Sequence, residues 1–403
     1  MPNPAPDIKL PPQLPTHFAL VSGLIALPSE IVTGQALLVA DGRIAAISAA
    51  DGLPSDVPQI DVGGRLIAPG LIDIHIHGAL GRTFNEPTAA AFATITRENA
   101  RCGVTSLLAT TATDAIDNLV AVLECAEQWM KTLQPGAQLL GVHVEGPYFS
   151  MAQRGAQDPA HIRNPDDGSV EQLLEYRDII RILTFAPELP GALALTQRLV
   201  ELGIVAAAGH SSAREEDAVP AINAGLRHMI HMWSAQSTTI REGPWRKPGL
   251  LEVSLTDERL TGEIIADGKH LPPTLMKLAY KCLGPDRLCA ISDATSGAGL
   301  PAGTRFRMGG MEYEVSDGVG MMLDRSAFAG STTLLNAMIP ILVDQVHIPL
   351  VEALRMASLT PARVIGVDAR KGSLETGKDA DIAIFDADFS AWRTIIGGQW
   401  ATL

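Results

Sequence analysis

The sequence predicts a (β/α)8 TIM-like barrel that carries a small β-sandwich domain formed from both termini. Eight short apolar runs alternate with amphipathic stretches through the middle of the chain, the pattern of a parallel sheet covered by helices on both faces. The polar residues that carry chemistry gather at the C-terminal ends of those runs, the rim where a barrel assembles its active site. The two flanking segments, 17–65 and 367–403, read instead as short alternating strands broken by glycines and polar turns, which predicts a separate small antiparallel domain.

Taken in order, residues 1–16 form a Pro-rich arm that lacks the charged start and apolar centre of a signal peptide. Segments such as FALVSGLIAL and QALLVADGRIAAIS then supply the first half of the sandwich. The barrel spans 66–366. Its strands are expected in LIAPGLIDIHIHG (66–78), VTSLLATTA (104–112), QLLGVHVEGP (138–147) and IIRILTFAPE (179–188). IVAAAGHS (204–211), HMIHMWSA (228–235), LTGEIIADGKH (260–270) and RLCAISDAT (287–295) complete the eight. Helical patterns fall between them, at 114–133, 191–202, 213–225 and 272–283. The tail, GSLETGKDADIAIFDADF and RTIIGGQWA, returns to the sandwich.

At 403 residues the chain is long enough for one large barrel and a minor domain. A formal net charge of −14 argues against nucleic acid and an anionic membrane surface as partners. No apolar stretch has the length of a membrane span. The four cysteines, Cys102, Cys125, Cys282 and Cys289, lie in apolar segments without paired metal spacing, so they read as reduced core thiols of a cytoplasmic protein.

Asp73, His75 and His77 end the first run, Glu145 the third, His210 the fifth, His231 the sixth, His270 the seventh and Asp293 the eighth. His75 and His77 are two apart, a spacing that turns both imidazoles of a strand to one face and lets them meet a single ion. Imidazoles with carboxylates and no thiolate suit a divalent cation such as zinc, iron or manganese.

The ordered motifs PGLIDIHIHG, HVEGP, AAGHS, IADGKH and ISDAT resemble the amidohydrolase superfamily. Together with the tail LRMASLTPARVIGVDARKGSLETGKDADIAIFD, they are most similar to its N-acetylglucosamine-6-phosphate deacetylase family. The resemblance implies that Glu145, His210 and His231 hold the principal ion and that His75 and His77 add a second, giving one or two ions per chain. It implies Asp293 as general acid/base, and His270, Gln157, Ser234, Ala235, Ala329 and Gly330 as substrate contacts. Gln157 stands where the family has a histidine, and Ser234 where it has an asparagine. Arg246 matches a phosphate-binding arginine that acts across a homodimer interface, so the resemblance implies a homodimer and a phosphorylated amino sugar substrate. Deacetylation of another N-acetyl amino sugar, such as N-acetylgalactosamine 6-phosphate, is the first alternative; N-acyl-amino-acid or cyclic-amide hydrolysis on the same barrel is the second, and a non-catalytic scaffold the alternative class.

Overall fold

The computed structural model describes residues 11–403; of the expected N-terminal arm, residues 1–10 lie outside the described residues. Eight parallel strands form one sheet in sequence order: β1 (Leu71–Asp73), β2 (Val104–Thr111), β3 (Gln138–Glu145), β4 (Ile180–Phe185), β5 (Val205–Ala208), β6 (His228–Met229), β7 (Thr261–Ile265) and β8 (Leu288–Ile291). Helices Ala89–Arg101, Ile116–Met130, Ala192–Glu201, Glu215–Ala224 and Pro273–Leu283 pack outside, so both faces of each strand are covered and the strands are apolar almost throughout.

The seam between β1 and β8 closes at the C-terminal rim. There the Asp293 N–H donates to the His75 carbonyl at 2.9 Å, and the His77 N–H donates to the Ala294 carbonyl at 2.8 Å. Lower down, the Ile72 N–H donates to the Ala357 carbonyl at 2.9 Å, so the turn after helix Leu350–Met356 plugs the gap. The barrel is therefore joined edge to edge where its functional residues lie.

The run expected as a single first strand, 66–78, is divided. Leu66–Pro69 belongs to a six-stranded sheet of the small domain, pairing in parallel with Leu24–Ala26 and antiparallel with Ile382–Phe385. The chain passes to the barrel at Gly70, where a Cβ would lie 2.2 Å from the Thr105 side chain. That close approach requires glycine. His75 and His77 follow the end of β1 and lie in the loop of the closed seam.

The six-stranded sheet packs on a four-stranded one made from His17–Val21, Gln35–Ala40, Arg43–Ala49 and Gln59–Asp61. Phe18, Leu20, Leu37, Ile67, Ile382, Ile384 and Ile395 fill the space between them, a sandwich drawn from both ends of the chain. A further antiparallel sheet, unanticipated from sequence, follows β8: β9 (Arg305–Met308), β10 (Met311–Ser316), β11 (Val319–Met322) and β12 (Phe328–Ser331). Its own small core contains Phe306, Met308, Tyr313 and Met322. Among the described residues no helix is long and apolar enough to cross a membrane, and the four cysteines are unpaired.

Candidate active site

Glu145, the last residue of β3, is the hub of a buried polar cluster at the rim. Its Oε1 lies 3.1 Å from His210 Nε2, 3.1 Å from His231 Nε2 and 3.6 Å from His75 Nε2. Its Oε2 lies 3.4 Å from His77 Nε2. Asp293 Oδ1 completes the group, 3.2 Å from His77 Nε2 and 3.6 Å from His75 Nε2. Five separate strand ends thus deliver six side chains to one point. His210 and Asp293 both adopt left-handed backbone, each with φ of 45°, a sparsely populated conformation that turns their side chains inward at the cost of strain.

The protons in this cluster are constrained by what lies behind each ring. His210 Nδ1 faces the Gln153 carbonyl at 3.0 Å, so it must donate there; its Nε2, turned to Glu145, donates when the ring is charged and offers a lone pair when a cation stands between the two. His75 Nδ1 faces the Glu263 carboxylate at 2.8 Å, and its buried Nε2 has no hydrogen-bond partner while pointing between Glu145 and Asp293. Lone pairs and carboxylates converging in this way call for positive charge between them. Burial lowers the affinity of His75 for a proton, yet the carboxylates of Glu263, Glu145 and Asp293 more than reverse this and push its pKa up to about 10. A divalent cation answers the same demand. The 3.1–3.6 Å separations around Glu145 Oε1 match the edges, about 3.3 Å, of a tetrahedron with metal–ligand bonds of about 2.0–2.1 Å. His75, Glu145 and His231 form one group able to hold an ion, and His75, His77 and Asp293 another.

Burial also works against the charge of Glu145 and Asp293. The His210 and His231 hydrogen bonds, with His75 and His77 nearby, nevertheless hold Glu145 well below the usual carboxylate range. The His77 contact and the charges of His75, His77 and His231 lower the pKa of Asp293 as well. Both are carboxylates at neutral pH.

A cavity of about 190 Å³ opens above this cluster, and His77, Glu145, His210, His231 and Asp293 form its floor. Gln157, Ser234, Ala235, His270, Ala329 and Gly330 all line it. Gln157 has a second engagement. Its Oε1 accepts from the Thr113 N–H at 2.8 Å, which orients the amide so that Nε2 donates to Glu145 Oε2 at 2.8 Å. His270 is set by Asp267, whose carboxylate lies 2.7 Å from Nδ1. Arg246 is not brought to the cavity. It sits on an exposed hairpin, Ile240–Glu242 with Trp245–Lys247, where among the described residues it meets the Pro244 carbonyl.

Several contributors went unread in the sequence. The inserted sheet supplies an apolar wall of Met308, Ala327 and Phe328, with Phe328 edge-on to His270 at 5.0 Å between centroids. Buried Glu263 and His228 stand behind the histidines. A charged residue inside the apolar run TGEII was the available signal, since carboxylates are almost never fully buried unless paired. His143, two residues before Glu145 on the same inner face, is occupied by the Ile74 carbonyl and Thr184 and takes no part in the cluster around Glu145.

Residues 66–401 match the model of the amidohydrolase family. The chain is 34% identical to an N-acetylgalactosamine-6-phosphate deacetylase of Escherichia coli O157:H7, covering 91% of this chain and 94% of the relative. It is 31% identical to an N-acetylglucosamine-6-phosphate deacetylase of Haemophilus influenzae, covering 95% and 99%. The crystal structure of N-acetylglucosamine-6-phosphate deacetylase from Pasteurella multocida superposes with a TM-score of 0.90 at 30% identity, covering 96% of this chain and all of that one.

Proposed function

The chain belongs to the amidohydrolase family and is a hydrolase of amide bonds; within that family we propose that it removes the acetyl group from N-acetylglucosamine 6-phosphate, releasing acetate and glucosamine 6-phosphate. The observation that carries this reading is the convergence of His75, His77, His210 and His231 on Glu145 and Asp293 beneath a cavity of about 190 Å³. The galactosamine epimer is the second reading, favoured by the Escherichia coli relative.

Glu145, with His210 and His231 each 3.1 Å from its Oε1, would hold the principal divalent ion, and His75, His77 and Asp293 border a second position; zinc fits this nitrogen and oxygen donor set, as do iron and manganese. When bound, such an ion supplies Lewis acidity toward the acetyl carbonyl and lowers the pKa of a water molecule to about 7. Asp293 then acts on the proton. Its Oδ1 is turned to His77, and Oδ2 takes the proton of the attacking water and returns it to the departing amine nitrogen, which leaves poorly as an anion. Gln157 has one amide hydrogen on Glu145 and a second to offer the substrate, so a glutamine can replace a histidine as donor there. His270, with Nδ1 fixed by Asp267, presents Nε2 to a sugar hydroxyl. Ser234, Ala235, Ala329 and Gly330 complete the contacts.

The reading extends to assembly. Arg246, with Arg241 opposite it and Trp245 exposed beside it, lies outside its own subunit's cavity. A homodimer that inserts this hairpin into its neighbour would put a guanidinium on the 6-phosphate, and guanidinium groups bind phosphate bidentately. The chain divides into an arm to residue 16, a sandwich of 17–65 and 367–403, and a barrel of 66–366, and works in the cytoplasm. Acetate release from N-acetylglucosamine and N-acetylgalactosamine, each with and without the 6-phosphate, tests the substrate. Turnover of the phosphorylated glucosamine derivative is expected to exceed the others, and equal turnover of the unphosphorylated sugars would overturn the assignment.

A further inference from the structure

Glu263 is fully buried inside the barrel, and nothing in the reaction uses it directly. A carboxylate in that position is expensive unless donors surround it, and three do. Oε2 accepts from His75 Nδ1 at 2.8 Å and from the His231 backbone N–H at 3.2 Å, and Oε1 accepts from His228 Nε2 at 2.9 Å. The far side of the His228 ring is held in turn by Thr261 Oγ1, 2.7 Å from Nδ1. An ionised carboxylate can only accept, so His75 must carry its proton on Nδ1. With a cation standing in for the second proton, Nε2 is the lone pair of a neutral ring, and it lies 3.6 Å from both Glu145 and Asp293.

We propose that Glu263 is the positioning residue of the metal centre: through one buried carboxylate it locks His75 in the tautomer that presents Nε2 and ties that ring to the backbone of His231. The proposal rests on the reading of the rim as a divalent metal site. His231 belongs to the principal position and His75 borders both, so Glu263 fixes the spacing between the two halves. His228 and Thr261 keep the carboxylate from rotating, which makes the sequence Thr261, His228, Glu263, His75 a rigid support running along the barrel interior. Outer partners of this kind alter metal affinity by about 10–100-fold when removed.

The test is metal binding by purified protein titrated with zinc against a competing chelator, for the unaltered chain and for Glu263→Gln. Glutamine keeps the shape but offers an amide hydrogen to one of the two rings, so one histidine must change tautomer and the charge behind His75 is lost. The altered protein is expected to lose about 10–100-fold in affinity for the second equivalent of zinc, with the first changed much less. A purely structural defect would weaken both together, and that result, or two unchanged equivalents, would overturn the proposal. Failure of the unaltered chain to bind any zinc, iron or manganese would instead sink the metal reading itself. Should Glu263→Gln not fold, nitrogen NMR of the zinc-loaded, histidine-labelled unaltered protein decides the matter. His75 must show a slowly exchanging proton on Nδ1, and a proton on Nε2 would refute the proposal.

Discussion

In the proposed reaction Asp293 carries the proton, and its surroundings set it apart from the ligands of the principal ion. Its Oδ1 contacts His77 and His75, while Glu145, His210 and His231 meet one another without it. Asp293→Asn keeps the shape but cannot accept a proton, so kcat is expected to fall by about 10³-fold while the principal ion remains bound. Metal analysis beside steady-state kinetics checks this, and a variant retaining a tenth of its kcat with the ion in place would remove Asp293 from the mechanism. Gly330 matters for a different reason. It has φ of 63°, and a Cβ there would stand 2.4 Å from the Asp293 carbonyl oxygen and 3.3 Å from its Oδ1. Gly330→Ala therefore both strains the backbone, by about 1–2 kcal/mol, and displaces Asp293. The expected outcome is a kcat loss of roughly tenfold or more on the same acid–base scale, with metal content little changed.

Among the elements, the hairpin 240–247 and the inserted sheet have the clearest functional consequences. The hairpin presents Arg246 and a Trp245 that is 72% exposed, and Arg241 pairs directly across from Arg246, an unfavourable arrangement of like charges in isolation. An anion beside both would relieve it. Arg246→Ala is expected to raise KM for phosphorylated substrate about tenfold or more, as the loss of a charged hydrogen bond would, leaving kcat and the unphosphorylated sugars almost unaffected. An unchanged KM would detach the hairpin from phosphate recognition. The inserted sheet was legible in principle: β9 alternates between exposed and buried positions, and much of β10 between partly and fully buried ones. Its role was not, because Met308 and Phe328 become cavity wall only once β12 is stitched to the Asp293 loop by the Ser331 N–H on the Asp293 carbonyl at 2.8 Å.

At the scale of the whole molecule, a buried ion cluster sits in the sandwich beside the point where the chain enters the barrel. Lys371 is only 6% exposed, and its Nζ lies 2.5 Å from Asp381 and 3.3 Å from Asp379, which are nearly as buried. Asp381 also accepts from the Gly397 N–H, and its carbonyl from Gly70, the residue at which the chain enters the barrel. Lys371→Met leaves two carboxylates without their shared cation and is expected to destabilise the protein by about 3–5 kcal/mol; urea unfolding measures it, and a loss below 1 kcal/mol would show the pair to be dispensable. Metal removal acts on the same global equilibrium. Chelation should abolish activity and lower Tm, since free ion at 100 times its Kd adds about 2.7 kcal/mol to the folded state. A Tm indifferent to chelator would show that the ion binds folded and unfolded chains alike.

Much of this protein was determined by local sequence. The apolar runs from VTSLLATTA to RLCAISDAT have the continuity of strands buried on both faces, and the third, fifth, sixth, seventh and eighth carry the histidine or carboxylate that the barrel brings to its rim. Periodicity and turn residues act within a few residues of themselves, so they can be read along the chain. The tertiary structure alone decided that Leu66–Pro69 leaves the barrel for the sandwich, because its hydrogen-bond partners are Leu24–Ala26 and Ile382–Phe385. It alone decided the support behind the site, for Glu263 meets His75 across 188 residues and His228 across 35. Which nitrogen of a histidine faces an ion depends on what its other nitrogen bonds, and that partner exists only after β1 and β8 have met and the barrel has closed.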